Sequence, residues 1–246
     1  MKNYLSKMFW GPSNYSEFIK GIQLAINQLA PQGIFTGDNM FTFGKNLSFL
    51  DDERFITAFT RHVETEAEKS VIWRMNTLCW AARQSLRIAG DFVECACYKG
   101  MTARIVSDYV DLGNTDKQYY LYDLFEHSSG MDHHEMPEHS EDLYERVKHR
   151  FADLPQVLVT KGFVPDVLHQ IAPDKIAFLH LDLNSVSAEI GVLELLFDRV
   201  STGGIIVLDD YGWLAYRAQK EAEDTFFEER GYRVLELPTG QGLIVK

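Results

Sequence analysis

Two short apolar runs set the fold class of this chain. Ile176-Ala177-Phe178-Leu179-His180-Leu181 and Gly204-Ile205-Ile206-Val207-Leu208 are nearly all apolar, bounded by charge or glycine, and too short for helices. Such runs read as central parallel strands buried on both faces. Each ends in acid, with Asp182 after the first and Asp209-Asp210 after the second. In open α/β sheets the ligand crevice lies just past the carboxyl ends of such strands. Three acidic oxygen donors gathered there suggest a hard divalent cation, because like charges in one crevice need compensation.

From about Gly90 onward, strand-like and helix-like segments alternate. The strands are expected at Phe92–Cys95, Tyr119–Tyr122, Val157–Thr160, Ile176–Leu181, Ile205–Leu208, Arg233–Glu236 and Leu243–Val245. This alternation implies a doubly wound α/β fold with a mostly parallel seven-stranded sheet. Only Leu237 to Gly242 joins the last two strands, a connection too short for a parallel crossover, so they should form an antiparallel hairpin. That outline resembles the Rossmann-like class I methyltransferase fold, which is the fold expected here. Residues 1–89 read as an N-terminal helical extension and 90–246 as the main domain. In the extension, Val71, Met75, Leu78, Ala82 and Leu86 form one helical stripe, with Gly90 placed to end it. Tyr15 to Leu29 and Phe55 to Val63 are weaker helix candidates. Gly33 to Gly44, rich in glycine and aromatics, reads as a packed loop, or alternatively as a lid or dimer element.

The formal charge of −12 gives no general attraction for nucleic acid or anionic lipid. No run approaches the roughly 20 apolar residues of a membrane helix. Met1 to Pro12 carries lysines without a continuous apolar stretch, so a secretory signal is not expected. Cys79, Cys95 and Cys97 lack zinc-site spacing and read as buried free thiols in a reducing cytoplasm. The expected partner is a small molecule, with a homodimer as a further possibility.

The first strand of the main domain runs into Glu94-Cys95-Ala96-Cys97-Tyr98-Lys99-Gly100-Met101-Thr102. Small residues and a glycine there let backbone approach a ligand before the helix begins. A dinucleotide fingerprint would read GxGxxG, but Ala96 holds the first glycine position and a carboxylate precedes it. That suits a cationic ligand without phosphate, such as S-adenosylmethionine; local capping by Glu94 is the alternative. Tyr119-Tyr120-Leu121-Tyr122-Asp123 places an acid near the spacing at which a carboxylate meets ribose hydroxyls. Asp123 capping its own turn is the competing reading. After the third strand, Gly162-Phe163 offers a ring on which an adenine can stack, or a core phenylalanine.

On these residues the chain resembles the macrocin O-methyltransferase (TylF-type) family from roughly Trp73 to the C-terminus. The motifs are Val93-Glu94-Cys95-Ala96-Cys97-Tyr98-Lys99-Gly100, Tyr122-Asp123-Leu124-Phe125-Glu126, Leu181-Asp182-Leu183-Asn184 and Gly203-Gly204-Ile205-Ile206-Val207-Leu208-Asp209-Asp210-Tyr211. The resemblance implies a magnesium-assisted O-methyltransferase acting on sugars of natural products. It implies Glu94, Tyr98, Gly100 and Asp123 at the cofactor and magnesium on Asp182, Asp209 and Asp210; Ala96, Cys97, Thr102, Phe125, Gly162 and Phe163 are further cofactor-site candidates. Two departures stand out. Ala96 replaces a usual glycine, and Asn184 replaces the aspartate taken as general base in sugar-methylating members. An amide takes no proton at neutral pH.

Asp182 and Asn184 are therefore catalytic candidates in altered form, and the proton needs another acceptor. Five of the eight histidines (His127, His133, His134, His139, His149) lie in one segment after the ribose-binding strand. His133 and His134 are the candidates for that role, and a solvated loop is the alternative. His180 reads as a hydrogen-bonded core histidine rather than a ligand. Asp209-Asp210 has a structural reading too, as the N-cap of the helix through Tyr216 and Phe226. Two other function classes remain open on sequence alone: a cofactor-binding protein that lost turnover with Asn184, and a nicotinamide-dependent oxidoreductase.

Overall fold

A computed structural model describes residues 2–127 and 136–246 of the chain. Two compact units divide it, Met1–Thr77 and Leu78–Lys246. No helix among the described residues is long and apolar enough to cross a membrane.

The first unit contains β1 (Tyr4–Leu5), α1 (Tyr15–Ile26), β2 (Phe35–Gly37), β3 (Met40–Thr42), α2 (Glu53–His62) and the short α3 (Glu66–Ser70). The stripe from Val71 becomes α4 (Ile72–Ser85), which runs from the first unit into the second. Helices stand where periodicity placed them, but the Gly33–Gly44 segment is not a loop. It forms a hairpin, with Asp38 and Asn39 both at positive φ (51° and 54°), and β1 adds to it in parallel. Two consecutive left-handed residues are what a tight two-residue hairpin turn demands. The Asp38 carboxylate is buried and held by Arg74, whose Nε and Nη2 donate at 2.9 and 3.2 Å. Sequence reading also passed over α3, although Thr65 and Glu68 form a complete capping box.

The second unit is built on β4 (Asp91–Cys95), α5 (Met101–Val110), β5 (Tyr119–Asp123), α6 (Leu143–Arg150), β6 (Val157–Lys161), β7 (Ile176–Leu181), α7 (Val186–Leu196), β8 (Val200–Leu208), α8 (Arg217–Glu228), β9 (Leu235–Glu236) and β10 (Gly242–Val245). The sheet order is β6-β5-β4-β7-β8-β10-β9. All pairings are parallel except those of β10, which lies antiparallel to both β8 and β9. Strand order reverses between β4 and β7, so the ligand crevice of an open α/β sheet belongs at their carboxyl ends. All six residues of β7 are buried, His180 among them, as a central strand covered on both faces requires.

Two boundaries differ from the sequence reading for identifiable reasons. Strand β8 starts at Val200, well before Ile205, because the register slips opposite Ile176–Phe178 and Gly204 has no Cβ to strike the Ala177 carbonyl oxygen. Gly90 does not end α4, which stops at Ser85. A Cβ at Gly90 would lie 2.6 Å from the Ile176 backbone, so this glycine serves the close approach of β4 to β7.

Candidate active site

The turn after β4 carries three residues in the left-handed region: Ala96 (φ 67°), Tyr98 (φ 48°) and Gly100 (φ 71°). The conformation at Ala96 explains why glycine suits that position; a methyl group there costs roughly 1 kcal/mol. The Tyr122 carbonyl accepts from both Ala96 N (2.8 Å) and Cys97 N (3.3 Å), locking the turn onto β5. Gly100 opens α5, where an added Cβ would press on Phe151 at 2.8 Å. Thr102 follows in the first turn of α5, half-buried.

Asp123 is the centre of this cradle. It is buried, and its two oxygens accept from Tyr98 N and Phe125 N, each at 2.6 Å. One carboxylate thereby fastens the turn after β4 to the turn after β5. The turn-capping reading of this residue is the one these two bonds show. Phe125 contributes only its backbone N–H here, since its side chain is fully buried against Tyr144. Cys97 is buried as well, and its thiol is pushed well above its usual pKa by burial and by Asp123. Gly162 donates its N–H to the Asp123 carbonyl (3.0 Å), and beside it the Phe163 ring is 56% exposed, open for stacking. These donors, acceptors and the exposed ring fit an adenosyl cofactor.

Sequence reasoning missed how this cradle is closed on one side. Glu138 accepts from buried Lys99 Nζ (3.0 Å) and from Arg146, while its N–H donates to the Tyr98 hydroxyl (2.9 Å). Partial burial pulls the Glu138 pKa upward, but Lys99 and Arg146 overcome this and hold it low. The His139 ring meets Tyr98 edge-on and stacks on His127 with centroids 6.2 Å apart. Because His139 Nδ1 accepts from Met136 N (3.1 Å), its neutral ring carries the proton on Nε2 and presents a donor there. His149 is exposed near the end of α6. His133 and His134 lie outside the described residues.

Glu94 lies in the floor of the sheet end, below the turn it precedes. It is 1% exposed, and its Oε2 accepts from the Tyr119 hydroxyl at 2.7 Å. Register pairing sets it opposite His180 on β7. His180 Nδ1 lies 3.6 Å from Glu94 and its Nε2 lies 3.5 Å from Asp209. Gln241 Nε2 donates to the same Asp209 oxygen at 2.8 Å. Burial by itself would lower the His180 pKa, but Asp209 and Glu94 reverse this and raise it well above its ordinary value. The core-histidine reading is the one this geometry supports.

The turns after β7 and β8 lie side by side. Asp182 N donates to Cys95 O (3.2 Å) and Asp209 N donates to Leu181 O (2.9 Å). Asp182, Asp209 and Asp210 therefore share one end of the sheet, but they do not assemble a metal centre. Among the described residues, no group of three His, Cys, Asp or Glu side chains is placed to hold an ion. Asp209 Oδ1 accepts from Gln241 and lies 3.5 Å from His180 Nε2, so one of its oxygens is already engaged. Nor does the pair cap the following helix, because α8 begins with Tyr216 as N-cap. Asn184 sits at φ 55° and its Nδ2 reaches Asp182 Oδ1 at 3.5 Å.

Comparisons with known proteins agree with this geometry. A family model described as Macrocin-O-methyltransferase (TylF) matches residues 72–234, well over half of the chain. No curated protein sequence matches significantly. Among solved structures, the O-methyltransferase NovP shares 20% identity over 72% of this chain and 81% of its own, with a TM-score of 0.60. CalS11, a TDP-rhamnose 3'-O-methyltransferase of calicheamicin biosynthesis, shares 13% identity over 97% and 96%, with a TM-score of 0.54. The S-adenosylhomocysteine-bound methyltransferase PaMTH1 of Podospora anserina shares 15% over 96% and 98%, also at 0.54. At such identities these structures establish the shared fold.

Proposed function

The chain belongs to the macrocin-O-methyltransferase family and is an S-adenosylmethionine-dependent O-methyltransferase; we propose that its acceptor is a hydroxyl of a sugar or glycosylated small molecule. The observation that carries this reading is Asp123, a buried carboxylate bridging the turns after β4 and β5 beside an exposed Phe163 ring. The sugar acceptor is drawn from the family and is in keeping with the TDP-rhamnose enzyme that shares the fold.

S-adenosylmethionine supplies an electrophilic methyl group on a sulfonium. The protein's task is to hold an acceptor oxygen in line with that group and receive its proton, and positioning alone supplies much of the rate. Asp123 and the backbone around Ala96–Gly100 would hold the adenosyl and ribose portions, with Phe163 against the base. Asp182 is the one titratable side chain in the Asp182-Leu183-Asn184 turn, so it takes the role of proton acceptor that Asn184 lacks. The Asn184 amide, donating toward Asp182 Oδ1, orients that carboxylate. Magnesium on Asp182, Asp209 and Asp210 is implied by the family resemblance, but the side chains as arranged do not fit it, and no step is assigned to a metal.

A second reading, a cofactor binder with lost or altered catalysis, is favoured specifically by Asn184 at the usual base position. Calorimetry with S-adenosylhomocysteine, followed by methyl transfer to a panel of sugar diols with and without magnesium, separates the two. Binding with transfer supports the enzyme. Binding without transfer to any diol supports the second reading. The three buried free thiols also agree with a cytoplasmic, reducing location as part of this proposal.

A further inference from the structure

Glu189 has no place in the cofactor cradle, yet it is fully buried near the start of α7. Its Oε1 accepts the Leu183 N–H at 2.9 Å, and Oε2 has no hydrogen-bond partner among the described residues. A carboxyl group buried this way costs stability that an apolar side chain of similar size would not. Helix capping does not account for it. In a capping box the acid stands three residues after the N-cap and bonds the N-cap N–H. Here Ser185 is the N-cap and Ala188 stands at that position. Glu189 instead reaches back past the helix start into the turn that carries Asp182 and Asn184. Cys95 O holds the Asp182 N–H at the near end of that turn, and Asn184 adopts a left-handed φ at its far end. Between them, Glu189 is the buried side chain that fixes the middle residue.

We propose that Glu189 is the positioning residue of the reaction: by accepting the Leu183 N–H it fixes the Asp182–Asn184 turn and so the direction of the Asp182 carboxylate. This rests on the methyl-transfer reading for its kinetic consequence, while the geometric part stands without it. Glu189→Gln keeps an oxygen that accepts the Leu183 N–H; Glu189→Met keeps the shape and loses the acceptor.

Amide hydrogen exchange at Leu183 tests the geometric part without any turnover. The Leu183 N–H is expected to exchange slowly in the wild-type protein and in E189Q, and at least tenfold faster in E189M. Steady-state kinetics tests the rest. In E189M, kcat is expected to fall by on the order of tenfold or more, since small misplacements of a reacting group have effects of this size. The dissociation constant for S-adenosylhomocysteine is expected to stay within about twofold, and E189Q to recover most of kcat. A fast-exchanging Leu183 N–H in the wild type overturns the proposal, as does E189M with unchanged kcat, or E189Q losing as much as E189M. Should the wild type turn over no acceptor, the exchange data still decide the clamp, and the failure then belongs to the methyl-transfer reading.

Discussion

At residue scale, two buried carboxylates do work that their sequence positions only half disclose. Asp123 is a cofactor candidate on sequence because an acid ends a strand near the right spacing after Gly100. Its second task, accepting from Tyr98 N and Phe125 N, depends on where two turns meet in space, which spacing does not encode. Asp123→Ala should therefore lose cofactor binding by at least tenfold and also lower stability, since each orphaned buried N–H costs roughly 1–3 kcal/mol; calorimetry and thermal unfolding read the two effects separately. Asp209 was legible as a strand-end acid, but not as a partner of His180 and Gln241, residues distant in sequence from it. Asp209→Asn removes a buried carboxylate that accepts from Gln241 and faces His180, so the melting temperature is expected to fall. A melting temperature for Asp209→Asn equal to that of the wild type would remove this structural role and return Asp209 to the pool of metal ligands.

At the scale of elements, apolar runs and turn residues made most of the main sheet legible, including its antiparallel finish. What escaped was local exception. The Gly33–Gly44 hairpin is too short to show a period, and β8 continues through a glycine pair that ordinarily marks a break. The pairing of α7 with α8 also hides an electrostatic feature. Burial, and secondarily charge repulsion from neighbouring acids, pushes Glu189 up to about 8 and Glu223 up to about 9. Both groups then keep a proton in the folded state that the unfolded chain releases above about pH 4.5. The folded state binds more protons, so stability falls as pH rises from about 4.5 toward 8, by at most about 1.4 kcal/mol per pH unit for each group. His180 acts in the same direction: its raised pKa gives stability that is fully present below 6.5 and lost as pH climbs through the folded value. Melting temperatures should decline from pH 5 to pH 9, and Glu223→Gln should make that decline shallower. An equally steep decline in Glu223→Gln would show that Glu223 is ionised in the folded protein.

At the scale of the whole molecule, strand order reverses between β4 and β7, and backbone hydrogen bonds tie the turns after β4, β5, β7 and β8 together at that end of the sheet. The family and the fold were readable because motif spacing follows that topology. The metal was not settled by the same logic. Three aspartates at one end of a sheet are a matter of backbone, whereas a metal centre needs their oxygens to converge, and Asp209 turns toward His180 and Gln241 instead. The account stands on a cofactor pocket centred on Asp123 and a separate reaction turn at Asp182. Titration calorimetry with S-adenosylhomocysteine on the wild type, Asp123→Ala and Asp182→Ala tests this most directly. The expected result is one-to-one binding by the wild type, loss of binding in Asp123→Ala, and retained binding without methyl transfer in Asp182→Ala. Absence of binding by the wild type, or equal loss in both variants, would contradict it.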